Sequence, residues 1–372
     1  MLQTVIKNQK LTNFSAASLS LSFLVLLIPQ LSLASDLITD PLFSDDLPLE
    51  ITLSAPFAEI NKERDKSKEY RGTLHYSDEN AATTLFDVKV SPRGNSRLRA
   101  KECRSAQLWV DFKKSQTVGT VFEGQNKLKL VVQCGSKTRG AQWLLKENLA
   151  YKVFEEFSDF HFKTRMLKVT YEDTGSGKQK SAQLAFFIEH HKNIARRHRM
   201  ELEDQNAVSI AELNPQQSSA IAMFAYLIGN TDFSAIQGPV GEKCCHNIKL
   251  LVDDQGQRFP LPYDFDNTGW VSAGYALGPS PNIGIKSTRE RRYRGFCLHN
   301  DELYGAVLAS AEKEAAVLSI IEESEGISEN NKRQLRNFAD DYFKIVSQPS
   351  AARELVQNCR YPQEISSSES SS

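Results

Sequence analysis

Three short motifs stand close together in the chain: Asn230-Thr231-Asp232, then His246-Asn247, then Pro262-Tyr263-Asp264-Phe265-Asp266. Together they supply three carboxylates and two carboxamides in a segment bracketed by apolar residues. Asp and Asn offer hard oxygen ligands, and an Asp at the end of a strand or helix can accept a proton from a hydroxyl nucleophile. That combination suits a Mg²⁺-nucleotide site, because phosphoryl transfer needs little beyond positioning, metal ligands and one base. The same residues also read as two polar turns flanking a hairpin, since Asn, Asp and Gly are the commonest turn formers. Both readings stand on the sequence.

The chain around these motifs has an exported character. Lys7 and Lys10 precede an apolar run over 16–33, and Ser32-Leu33-Ala34 puts small residues where a signal peptidase cuts. Residues 1–34 are therefore expected to be a cleaved signal peptide, with the periplasm or the extracellular space as destination. No later segment is apolar for long enough to cross a bilayer. Removing the signal and the Ser/Glu-rich tail at 366–372 leaves about 330 residues, enough for two lobes. With 45 basic against 46 acidic residues, nothing favours a general affinity for nucleic acid. The six cysteines, Cys103, Cys134, Cys244, Cys245, Cys297 and Cys359, suggest at least two disulfides after export. Adjacent Cys244 and Cys245 are expected to reach different partners, one of them Cys297.

Strands come first and helices later. Residues 49–54, 73–76, 85–91, 108–112 and 127–132 alternate or run apolar between turn residues and read as an antiparallel sheet. Residues 143–157 carry Leu144, Leu145, Leu149, Val153 and Phe157 at helical spacing. Two strands follow at 164–171 and 181–188, joined across Gly175-Ser176-Gly177-Lys178. Helices are expected at 215–228 and through 301–346. The fold class is α+β, with a strand-rich lobe over 35–200 and a helix-rich lobe over 201–365 that carries the acidic motifs.

That order is the order of a protein-kinase-like fold, and particular residues sharpen it. Arg93-Gly94-Asn95-Ser96, Lys127-Leu128-Lys129-Leu130, and 144–151 with Phe154 resemble the N-lobe of the CotH-type (spore-coat) kinases. Gly229-Asn230-Thr231-Asp232 and Tyr263-Asp264-Phe265-Asp266 are similar to that family's catalytic and metal-binding motifs. The resemblance spans roughly 85–270, without the Gly-rich phosphate loop of ordinary kinases. It implies a two-lobe fold with Mg²⁺ and ATP as cofactors. Lys129, or Lys127 on the same face of the strand, would reach the nucleotide phosphates, held by an ion pair to Glu147, and Arg93 and Asn95 would assist. Asp232 would be the catalytic carboxylate, with Asp264, Asn247 and Asp266 on the metal.

The remaining polar clusters carry less chemistry. His190, His191 and His198 with Arg196, Arg197 and Arg199 read as a basic acceptor patch or a solvated loop. Glu189 reads as a linker acid between lobes or a strand-end salt bridge. Arg289, Arg291, Arg292 and Arg294 surround Tyr293, and arginine forks suit phosphate or carboxylate. The sequence thus points to an exported phosphotransferase acting on a protein or a small anionic or hydroxyl acceptor. A kinase-like envelope binding or assembly protein without activity is the alternative. A metal-dependent hydrolase ranks third, since no histidine sits at ligand spacing within the motif.

Overall fold

The computed structural model describes residues 40–77, 83–239 and 241–361. The expected signal peptide and the 366–372 tail lie outside them.

Alternating inward and outward residues build the first half. Strands β1 (Leu49–Ala55), β2 (Tyr70–Ser77), β3 (Thr83–Arg93), β4 (Gln107–Phe112) and β5 (Lys127–Val132) run antiparallel in chain order, with helix α1 (Phe57–Glu63) between the first two and the short α2 (Lys114–Thr117) before β5. Helix α3 (Lys137–Glu155) follows, then β6 (Thr164–Asp173), the two-residue β7 (Lys178–Gln179) and β8 (Gln183–Ile188). Strand β8 pairs with β5 on one side and β6 on the other.

The expected antiparallel sheet closes into a barrel. β6 is ten residues long and pairs in parallel with β1, from Leu49 opposite Leu167 to Ala55 opposite Asp173. Seven strands thus form a ring, β1-β2-β3-β4-β5-β8-β6, with β7 appended to β6. Closure pairs both edge strands, which removes the exposed backbone donors and acceptors of an open edge. Alternation shows which face of a strand is buried but not which edges meet, so closure was not readable from the pattern. Phe122 fills the barrel, its ring 4.9–6.3 Å from those of Tyr76, Phe86, Phe112 and Phe187. Each such aromatic pair adds about 0.5–1.5 kcal/mol beyond burial.

The period of two divides β5 between two cores. Leu128, Leu130 and Val132 point into the barrel, while Val131 joins a second core with α3 and Phe186 and Ile188 of β8. Lys127 and Lys129 share the outward face with Val131. Beyond β8 come α4 (His191–His198), β9 (Glu201–Leu202) and α5 (Pro215–Ile228), whose Asn214 cap accepts from the Gln217 amide and whose Pro215 suits the first turn. The hairpin β10 (Ile248–Val252) and β11 (Arg258–Pro262) lies next, with β9 pairing to β10. Four helices complete the fold: α6 (Asn300–Ala311), α7 (Glu314–Glu323), α8 (Glu329–Val346) and α9 (Ala351–Val356). In α8 the buried Leu335, Ala339, Tyr342, Phe343 and Val346 recur at helical spacing. Strands therefore dominate up to Ile188 and helices beyond it. No helix among the described residues is long and apolar enough to cross a membrane.

The cysteines pair as Cys103–Cys134, Cys244–Cys245 and Cys297–Cys359. The expected link from Cys244 or Cys245 to Cys297 is not formed; the neighbours bond each other. Cys297 is instead drawn to Cys359, because the Cys297 amide donates to the Arg360 carbonyl and the Arg360 amide to the Gly295 carbonyl. Those backbone bonds bring the Cα atoms of the two cysteines to 5.0 Å, within disulfide reach.

Candidate active site

The acidic motifs meet where α5 ends. Gly229 terminates the helix with φ +64°, a conformation that favours glycine. A Cβ there would lie 2.9 Å from the Thr288 carbonyl oxygen. The chain after the helix is laid against residues 267–270, with the Trp270 amide donating to the Ile228 carbonyl at 3.0 Å. This pairing delivers Asp232 beside the segment that carries Asp264 and Asp266.

Asp232 is held on several sides. Its Oδ1 lies 2.8 Å from His246 Nε2, and its Oδ2 accepts from Asn267 Nδ2 at 3.2 Å and Asn247 Nδ2 at 3.3 Å. Asn247 also donates to the Asp232 carbonyl at 2.8 Å, and Asn230 Oδ1 accepts from the Asp232 amide at 2.9 Å. The hydrogen bond to Asp232 raises the basicity of His246 above that of a free histidine. Two amides and an imidazole thus fix the orientation of a carboxylate that still reaches solvent. Asn267 belongs to the Asp266-Asn267-Thr268-Gly269 run that reads as a plain polar turn in sequence. The role of His246 was equally invisible, because the thirteen residues between it and Asp232 form an excursion with no periodic signal.

Beside this, one buried guanidinium gathers three carboxylates. Arg97 Nη1 and Nη2 donate to Glu147 at 2.9 and 3.2 Å, Nη2 to Asp264 Oδ1 at 2.6 Å, and Nε lies 3.0 Å from Asp266 Oδ2. Arg97 adjoins the Arg93-Gly94-Asn95-Ser96 motif, but nothing in the sequence distinguished it from a surface arginine. Burial pushes the Glu147 and Asp266 carboxyls up, and Arg97 only partly opposes this. Burial also disfavours ionised Asp264, yet Arg97, Arg93 and Lys129 outweigh it and hold that carboxyl below its ordinary value.

Lys129 and Glu147 do not form the expected ion pair. Glu147 is taken by Arg97, whereas the Lys129 ammonium lies 3.6 Å from the centre of the Tyr263 ring and 5.8 Å from that of Trp109. Arg97 reaches Glu147 first because its planar fork matches a carboxylate with two parallel hydrogen bonds. Arg93 is buried, donates to the Leu108 carbonyl at 3.2 Å and acts electrostatically on both Lys129 and Asp264. Asn95 is exposed and accepts from Lys66 at 2.9 Å, away from the carboxylates.

Burial first, then repulsion from Arg93, brings Lys129 down to about 7, with Asp264 opposing. Its folded value lies below the unfolded one, so the unfolded chain holds the extra proton. Lys129 therefore costs stability below about pH 7, and the cost shrinks as pH rises toward the free-lysine value. Lys129→Met is expected to stabilise the protein by on the order of 2 kcal/mol at pH 6 and by little near pH 10. Thermal melts of both proteins at the two pH values test this, and an unchanged difference would show that the lysine is not desolvated.

The histidine run is not a basic patch at neutral pH. Burial, with nearby lysines, pushes His190 down to about 4 and His191 to about 3. His190 caps α4 by accepting from the Lys192 amide, and the His198 ring packs against Phe160. Glu189 is buried and pairs with Arg197 at 2.8 Å. The arginine cluster divides. Arg291 stacks on Phe338 at 3.7 Å and donates to the Leu227 and Phe338 carbonyls. Arg292 and Arg294 instead line a cavity that opens beside Asp232.

The carboxylate set suits a divalent cation. Its oxygens are hard ligands, and the Asp264 side chain is 34% exposed, so it can reach a bound group. Asp264 and Asp266 are the residues that could offer oxygens to such an ion, although each already has one oxygen on Arg97. Asn247 spends its amide on Asp232 and presents its carbonyl oxygen only as a weaker ligand.

No protein-family model matches the chain, that of the CotH-type kinases included, and no curated protein matches it. Among solved structures the chain is similar to a crystal structure of a Helicobacter pylori proinflammatory kinase, CtkA. The identity is 12%, the match covers 68% of this chain and 91% of that one, and the TM-score is 0.38. At that distance the likeness carries no argument about chemistry.

Proposed function

We propose that the protein is an exported, kinase-like phosphotransferase that moves a phosphoryl group from a magnesium-bound nucleoside triphosphate such as ATP to a hydroxyl acceptor. One observation carries this reading: Asp232, oriented by His246, Asn247 and Asn267, adjoins Asp264 and Asp266, which a single arginine ties to Glu147. These are a positioned base and a metal-competent acidic pair, the parts phosphoryl transfer requires. The three disulfides suit an oxidising compartment.

In this reading the acceptor oxygen attacks the γ-phosphorus, a new O–P bond forms, and the bond to the β,γ-bridging oxygen breaks. The acceptor proton passes to Asp232 Oδ1 or Oδ2, and the nucleoside diphosphate leaves. Magnesium, which Asp264 and Asp266 would hold, would supply neutralisation of the phosphate charge. Arg97 holds Asp264 and Asp266 in register, while Lys129 and Arg93 present positive charge to the phosphates. A second reading, a binding or assembly protein without turnover, is favoured by the same Arg97, which already occupies an oxygen of each of these carboxylates.

A thermal-shift titration separates the two. With ATP and Mg²⁺ together the melting temperature should rise and saturate, by the equivalent of about 2.7 kcal/mol at a hundred times the dissociation constant. ATP without Mg²⁺ should do much less. A flat response up to millimolar Mg-ATP would favour the binding protein.

A further inference from the structure

We infer that the cavity beside Asp232 is an acceptor site for a small hydroxyl compound that carries its own phosphate or carboxylate. The cavity has a volume of about 420 Å³, within the range of about 300–1,000 Å³ usual for small-molecule sites. Asp232 and His246 line it together with Arg292, Arg294 and Arg360; Arg294 donates to the Phe233 carbonyl at 3.4 Å and the Arg360 guanidinium lies over the Phe296 ring at 4.5 Å. Among the described lining residues Asp232 is the sole carboxylate against three guanidinium groups. A ligand that satisfies both kinds of group therefore has an anionic group for the arginines and a hydroxyl for Asp232. Arginine forks bind such oxyanions with paired, charge-assisted hydrogen bonds.

The arginines are held in place by more than their own side chains. The Arg360 amide donates to the Gly295 carbonyl at 2.8 Å, the Cys297 amide to the Arg360 carbonyl at 3.0 Å, and Arg360 Nε to the Arg294 carbonyl at 2.9 Å. The Cys297–Cys359 disulfide closes the same junction. Two chain segments far apart in sequence are thereby fastened so that Arg292, Arg294 and Arg360 face one space. Arg292 is exposed and meets Asn358 Oδ1 at 3.2 Å, so its head group is available to a ligand at little structural cost. The role given to Asp232 rests on the phosphotransferase reading; the anion-binding role of the arginines does not.

The test is a calorimetric titration of the full, oxidised chain without nucleotide, using glycerol 3-phosphate, glycerate and neutral glycerol as probes. At least one anionic probe should bind and glycerol should not, and comparison of the two anions tells which oxyanion is preferred. Arg292→Glu should weaken the bound anion by about tenfold or more, with Arg292→Lys between. Melting curves of both variants must match wild type for that comparison, as the exposed position leads one to expect. Glycerol binding as well as the anions, no loss in Arg292→Glu, or binding of an acidic peptide such as hexaglutamate but of neither small anion would each overturn the inference. Mg-ATP binding without anion binding would sink the inference and leave the phosphotransferase reading standing. Anion binding without Mg-ATP binding would leave the anion site standing and remove both the phosphotransferase reading and the acceptor role of Asp232.

Discussion

Arg97→Ala is expected to destabilise the protein by about 3–5 kcal/mol, the cost of stranding buried charge when one partner of an ion pair is removed. The reason is geometric. Arg97 is the shared partner of Glu147, Asp264 and Asp266, and its own side chain is only 5% exposed. Without it three acidic groups face one another in a desolvated space. Arg97→Lys should recover only part of the loss, because an ammonium cannot reproduce the two-pronged contact to Glu147. Chemical denaturation of the three proteins at neutral pH measures the effect. A loss below about 1 kcal/mol for Arg97→Ala would match a surface ion pair and would mean that the cluster is not an integrated unit.

Two aspartates should differ in kind. Asp232→Asn is expected to leave Mg-nucleotide affinity nearly unchanged and to lower turnover by about 10²–10⁴, since a base acts mainly in the transition state. Asp264→Asn should instead weaken Mg-nucleotide binding itself, because a neutral amide replaces a charged ligand needed in the ground state too. The pair is informative because Asn267 ties Asp232 to the same loop as Asp264, so a general collapse of the site would affect both variants alike. Matching losses of binding in both would therefore contradict the division of roles.

Individual elements were far more legible than their assembly. The strands at 49–54, 127–132 and 164–171 are found at β1, β5 and β6, and the 215–228 helix coincides with α5. Each had strong periodicity or an unambiguous start such as Asn214-Pro215. Barrel closure was not legible, because the β1–β6 pairing depends on which edges meet in space. Helix α4 was missed because it is only eight residues long and buries just Ile194 and Ala195 among polar and basic neighbours; His190 marks its start as a cap.

At the site the residue types picked out loops that the fold brings together, but not the partners of each side chain. Asp232, Asp264 and Asp266 stand out as acids among apolar residues, whereas Arg97 and Asn267 lie in runs that resemble ordinary turns. The Lys129–Glu147 pairing failed because several cations compete for one buried acid, and only the folded chain shows which has the reach. The cysteine pairing failed for a related reason. Cys359 is 62 residues from Cys297, and only the backbone bonds between Gly295, Cys297 and Arg360 bring them together.

The most direct measurement is ³¹P NMR of the wild-type protein with ATP, Mg²⁺ and glycerol 3-phosphate, beside Asp232→Asn under the same conditions. The wild-type spectrum should lose the γ-phosphate resonance and gain ADP together with a new phosphoester. In the variant that change should be slower by about 10²-fold or more. A wild-type spectrum unchanged by Mg²⁺ over many hours, or a rate that Asp232→Asn leaves untouched, would contradict phosphoryl transfer at this site.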